Sequence, residues 1–138
     1  VPHDAREPLQ LTCFDGASRL GVLTDLGHAT AHVLQQLAGC NSLLLESNHD
    51  PEMLRASAYP AFLQKRVSGP YGHLTNAAAA AIAQQVQHAG LRQVVAAHLS
   101  QQNNHPALAQ AALADALGWE AAQIGVADPL HGTDWLAV

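Results

Sequence analysis

The stretch Arg19-Leu20-Gly21-Val22-Leu23-Thr24-Asp25-Leu26-Gly27 decides the fold. A short apolar run stops abruptly at a carboxylate, which reads as a buried strand with Asp25 at its mouth. Upstream, Leu9 to Phe14 is a second such run, separated from Arg19 to Thr24 by Asp15-Gly16-Ala17-Ser18. Asp-Gly is a strong turn signal, so the two runs predict a β-hairpin. Downstream, Ala29 to Leu37 has apolar residues at helical spacing and closes near Gly39.

The same grammar continues to the end of the chain. Ser42 to Glu46 predicts a buried strand ending in the polar loop Glu46-Ser47-Asn48-His49-Asp50. Pro51 suits the start of a short helix, and Pro60 to Val67 predicts another before Ser68-Gly69-Pro70. Thr75 or Asn76 can cap a helix running to about His88, with Gly90 to end it. Gln93 to Ala97 predicts a strand, Pro106 to Leu117 a helix closed by Gly118, Ala122 to Ala127 a strand and Thr133 to Val138 a final edge strand. Strands alternate with helices, so the class is α/β, mainly parallel after the hairpin.

Length and composition bound the rest. At 138 residues the chain is the size of one domain, and 49% are apolar, enough for a real core; aromatics, at 4%, leave Leu, Val, Ile and Ala to fill it. No run approaches a membrane span and no signal-peptide pattern appears, so the expectation is a cytoplasmic protein without membrane contact. Cys13 and Cys40 have no CxxC spacing and are expected as buried free thiols. The net charge of −5 argues against an overall basic footprint. Yet no acidic residue lies between Glu52 and Asp115, a stretch holding Arg55, Lys65, Arg66, Arg92, His73, His88, His98 and His105. This positive middle suits a phosphate-bearing substrate; composition bias and solvated helix faces are the plainer account, since charge runs are usually solubilising faces.

Candidate chemistry gathers where apolar runs stop, which is where α/β folds put their sites. Asp25 is either a metal-bridging carboxylate or an acid favouring the following helix dipole. His98 ends Val94-Val95-Ala96-Ala97 and is either a ligand or a buried histidine bonded to backbone. His3-Asp4 stands before the hairpin. Two imidazoles and a carboxylate make a credible zinc set. Ser100, Asn103 and Asn104 follow His98 and suit ligand orientation or substrate contact. His49 and Asp50, beside Glu46, suit supporting or loop-ordering roles, and His73 and Asn76 either a helix start or substrate contact. His28 and His32 are expected to share a helix face without a third ligand. Ser47, Ser100, His98 and Asp25 include the residue types of a hydrolytic triad, but no local pattern links them, and no GxSxG elbow or phosphate-binding glycine loop is present.

Taken in order, these segments resemble a known family. His3-Asp4-Ala5 with Glu7-Pro8, Gly21 to Gly27, Glu46-Ser47-Asn48-His49-Asp50 with Met53-Leu54, Tyr59-Pro60, Gly72-His73-Leu74-Thr75-Asn76 and His98-Leu99-Ser100-Gln101 with Asn103-Asn104 are similar to the second half of a metallo-β-lactamase-fold metal-dependent hydrolase. The nearest branch is the YycJ/WalJ type, beside the ribonuclease Z and phosphonate phosphodiesterase branches. The resemblance implies an αββα sandwich with metals at one edge. It implies His3 as a ligand of the first metal, Asp25 as the bridging carboxylate and His98 as a ligand of the second, with Asp25 and His98 catalytic. The family's earlier His-x-His-x-Asp-His cluster is absent from residues 1–138, so the chain is expected to be the C-terminal half of a single domain.

The mechanism so implied is two-metal hydrolysis by a metal-bound hydroxide, with zinc or manganese lowering the pKa of water from about 15.7 toward 7. The implied substrate is a phosphodiester, in the specific form a nucleic acid cut by an exonuclease. Two other readings stay open: a small ester, thioester or cyclic phosphate as substrate, or an inactive half-fold fragment. Half a sandwich leaves an apolar sheet face, to be covered by a second copy or by the N-terminal half.

Overall fold

A computed structural model describes residues 1–138. Two short apolar runs joined by the Asp15-Gly16 turn pair as an antiparallel hairpin, β1 (Leu11–Phe14) and β2 (Arg19–Leu23). β2 is followed by α1 (Ala31–Leu37), β3 (Ser42–Glu46), α2 (Pro51–Ala56), α3 (Ala61–Val67), α4 (Asn76–Val86), β4 (Gln93–Ala97), α5 (Pro106–Leu117), a 3-10 turn at Ala121–Gln123 and β5 (Ile124–Val126). The sheet order is β1-β2-β3-β4-β5, parallel from β2 onward.

Alternation divides the sheet into two unlike faces. Leu23, Leu43, Leu45, Val94, Ala96 and Ile124 point to one face and are buried under Val33 and Leu37 of α1, Ile82 and Val86 of α4, and Leu113 and Leu117 of α5. Small alanines (Ala79, Ala83, Ala109, Ala114) let α4 and α5 pack closely, which is how a chain poor in aromatics still closes its core. Leu20, Val22, Leu44 and Val95 lie on the opposite face, and no helix covers them. The segment 133–138 crosses that face and encloses with it an apolar cavity of about 330 Å³.

Several expectations are corrected. Thr133–Val138 is not an edge strand; it lies over the bare face, where apolar contact substitutes for a hydrogen-bonded partner. The last strand begins at Ile124, because Glu120 caps a 3-10 turn through Gln123. The hairpin starts at Leu11 rather than Leu9. α4 ends at Val86, before Gly90, because Gln87 adopts extended geometry. His28 lies ahead of α1, which Thr30 caps, so His28 and His32 do not share a helix face; His28 bonds instead to the Pro70 carbonyl. Cys40 is buried, but Cys13, on the edge strand, is exposed. The positive middle is not one patch. Arg92 and His88 sit at the N-terminal end of β4, the opposite edge of the sheet from His98. No helix is long and apolar enough to cross a membrane.

Candidate metal centre

Three parallel strands end side by side. Register places Leu23 beside Leu45, Leu45 beside Ala96 and Glu46 beside Ala97. Beyond those ends come Asp25 from β2, Glu46 from β3 and His98 from β4. Asp25 and His98 are the two non-glycine residues with positive φ, at 58° and 54°. Each gives up about 1–2 kcal/mol to stay in the left-handed region. Such strain persists where surrounding contacts enforce it, and it concentrates at functional sites.

Glu46 is the hub. Its side chain is wholly buried, and four donors satisfy it. Oε1 accepts from Nδ1 of His73 at 2.7 Å and Nδ1 of His98 at 2.8 Å; Oε2 accepts from the amides of Leu26 at 3.1 Å and Leu74 at 3.2 Å. Burial works to raise its pKa, but the hydrogen bonds from His73, His98 and Leu26 prevail and hold it at about 2. An ionised carboxylate only accepts, so both imidazoles carry their proton on Nδ1 and leave Nε2 free. The hydrogen bond to Glu46 raises the pKa of His98 against its burial, and the charges of Glu46 and Asp25 add to that rise.

His3 repeats the arrangement with a different acceptor. Its Nδ1 donates to the Gly72 carbonyl at 2.8 Å, so its Nε2 is also free. That Nε2 lies 3.6 Å from Asp25 Oδ1, and the same oxygen lies 3.8 Å from His98 Nδ1. His73 stands between, its ring centroid 5.0 Å from that of His3 and 5.2 Å from that of His98. Asp25, Glu46, His73 and His98 offer ligand atoms within 4.8 Å of one another. Exposure rises from 9% at the His3 side chain to 45% at His98 and 47% at Asp25, so the cluster opens to one side.

The donor set fits a divalent cation. Imidazole Nε2 atoms with Nδ1 anchored on a carboxylate or a carbonyl are how proteins present histidine to metals, and imidazole with carboxylate suits zinc. Glu46 itself has no oxygen left over, so it orients the histidines rather than binding.

No family model matches the chain. The exodeoxyribonuclease YycJ of Bacillus anthracis is 33% identical over 134 residues, 97% of this chain and 51% of that protein. The exodeoxyribonuclease WalJ of Streptococcus pneumoniae is 27% identical over 133 residues, 96% of this chain and 49% of that protein. Among solved structures, zinc-bound PqqB from Methylobacterium extorquens superposes with a TM-score of 0.64 at 19% identity, over 94% of this chain and 43% of that one. The chain shares the metallo-β-lactamase fold. A diphosphatase of the PhnP family has a TM-score of 0.50 at 17% identity, covering 100% of this chain and 47% of that one. The chain spans about half the length of the curated metallo-β-lactamase-fold relatives it matches.

Of the residues singled out from sequence, the fold brings His3, Asp25, His98 and His73 into this cluster. Asp4 adjoins it, with Oδ1 3.5 Å from His3 Nε2 and Oδ2 paired to Arg66. The others build the frame. Asp50 caps α2 by accepting from the Glu52 and Met53 amides. Ser100 Oγ accepts from the Asn103 amide, and the Asn103 carbonyl accepts from the Asp50 amide, tying the loop after β4 to the loop after β3. Asn76 and Asn104 exchange side-chain amide bonds at 2.8 and 2.9 Å, and Asn104 also donates to the Ser47 carbonyl at 2.7 Å. His49 is fully buried, its Nε2 has no partner, and burial holds its pKa below the ordinary value.

Sequence reasoning passed over Glu46 as a hub and underrated His73. The available signal was an acid ending a buried strand in line with two other polar strand ends, a costly placement unless it is paired. Two glycines close the centre: a methyl at Gly27 would strike the Pro70 carbonyl, and one at Gly72 the Val67 carbonyl.

Proposed function

We propose that this chain is the C-terminal half of a single metallo-β-lactamase-fold domain, and that the complete protein is a metal-dependent hydrolase cutting phosphodiester bonds in nucleic acid. The observation that carries this reading is the common state of His3, His73 and His98, which cluster with Asp25: each commits Nδ1 to a protein acceptor and leaves Nε2 without one. The exodeoxyribonuclease names of the two relatives support the substrate class. The half-length match and the apolar face of Leu20, Val22 and Leu44 support the division of the domain.

In this reading His3, Asp25 and His98 would hold the metal; zinc fits the donors and manganese is an alternative. Bound cations supply Lewis acidity toward a phosphoryl oxygen and lower the pKa of a coordinated water. Glu46 keeps the two imidazoles in one tautomer and one orientation. His73, half-shielded and held by Glu46 through Nδ1, would present Nε2 to the metal or to the substrate phosphate.

The test uses the natural full-length protein. Metal content and degradation of a DNA strand are measured for wild type, His98→Ala, Asp25→Ala and His28→Ala. The first two lose metal and turnover while keeping a cooperative melting transition; His28→Ala keeps both. Wild-type turnover in His98→Ala or Asp25→Ala would overturn the site. Turnover of small esters with none on DNA would overturn the substrate class.

A further inference from the structure

Arg66 stands beside the centre without belonging to it. It lies in the last turn of α3, and its Nε donates to Asp4 Oδ2 at 2.5 Å. The Asp4 carboxylate is itself held: its backbone amide donates to the Tyr71 carbonyl at 2.9 Å, and its other oxygen lies 3.5 Å from His3 Nε2. The Nη groups of Arg66 have no protein partner, and the side chain is 68% exposed. Together with Asp4, Leu63, Val67, Gly72 and His73, Arg66 lines a cavity of about 160 Å³, large enough for a phosphate group with water and too small for a nucleoside.

A guanidinium satisfied as an ion pair would turn its fork onto the carboxylate. Here the carboxylate takes only the Nε edge, which fixes the plane of the group and leaves both Nη ends for a second anion. Of the arginines in the positive middle, Arg66 is the one that lines this wall. Arg55 is engaged by Glu52 at 3.1 Å, and Arg92 lies at the far edge of the sheet.

We propose that Arg66, oriented by Asp4, binds the phosphate next to the scissile one, selecting a nucleic acid strand over a small phosphodiester. The inference rests on the nuclease reading above. His73 in the same cavity wall ties the phosphate's seat to the reacting bond.

The test takes the full-length protein and its Arg66→Ala, Arg66→Lys and Asp4→Asn variants. Binding of a fluorescent single-stranded oligonucleotide is followed by anisotropy across a salt series, beside metal content and turnover of bis(p-nitrophenyl) phosphate. Arg66→Ala is expected to weaken binding roughly tenfold and to lower the log-log salt slope by about 0.7, the loss of one single-strand phosphate contact. Its metal content and its turnover of the small diester stay at wild-type levels. Arg66→Lys restores the slope but only part of the affinity, and Asp4→Asn weakens binding with the slope kept. An unchanged slope in Arg66→Ala, or an equal loss on both substrates, overturns the inference while a DNA-cleaving wild type keeps the nuclease reading. A wild type that neither binds nor cuts DNA overturns both.

Discussion

Glu46 Oε1 lies 2.8 Å from His98 Nδ1, across 52 residues of sequence, and the same oxygen accepts a hydrogen bond from His73 Nδ1. One buried carboxylate thus sets the tautomer of two imidazoles. Glu46→Gln keeps the shape and removes the charge. The expected result is a loss of about 10–100-fold in metal affinity, the range for partners that orient histidine ligands. Competition with a chromogenic chelator measures it; wild-type affinity would mean the histidines orient themselves.

Acid should expose the same carboxylate. Its folded pKa of about 2 lies below the ordinary 4.5, so its contribution is fully present above pH 4.5 and is lost as pH falls toward 2. That contribution is on the order of 3 kcal/mol in the metal-free protein. His98 runs the other way: with its pKa raised above 6.5, its share is present below pH 6.5 and fades as pH rises through the folded value. Urea midpoints of metal-free protein should therefore peak between about pH 4.5 and 6.5 and fall steeply on the acid side. Glu46→Gln should flatten the acid limb.

Backbone strain at Asp25 can be separated from its chemistry. At a φ of 58°, Asp25→Gly relieves the left-handed penalty, whereas Asp25→Ala keeps it. Asp25→Gly should be about 1 kcal/mol more stable than Asp25→Ala, with neither binding metal normally. Equal melting temperatures would show that the loop relaxes freely.

The Asn76–Asn104 pair ties α4 to the loop behind the site. Asn104→Ala leaves the Asn76 amide and the Ser47 carbonyl without their partner and should cost about 1–3 kcal/mol. Adding Asn76→Ala should cost much less than its single substitution does, because the two are coupled. Strict additivity in denaturant melts would contradict the reciprocal bond.

Much of the arrangement could be read in advance, for a physical reason. A buried parallel strand shows itself as an apolar run, and its polar terminus marks the sheet edge where side chains can gather, so Asp25, His98 and the parallel strands that carry them were legible. Glu46 ended such a run too, but its meaning depends on partners 27 and 52 residues away, which no local pattern encodes. His73 follows a loop rather than a strand, and only the tight approach at Gly72 carries it to the others. The tail at 133–138 misled because apolar spacing alone does not distinguish an edge strand from a segment lying across a sheet.

That tail also carries a built-in optical probe. Of the two tryptophans, Trp119 packs against the core, while Trp135, on the segment crossing the bare sheet face, is fully exposed at 103%. An indole in water emits to the red of one in an apolar setting. When anything closes over that face, the emission of Trp135 should move to the blue while that of Trp119 stays put. Fluorescence alone then reports whether that face is covered, with no label and no substrate.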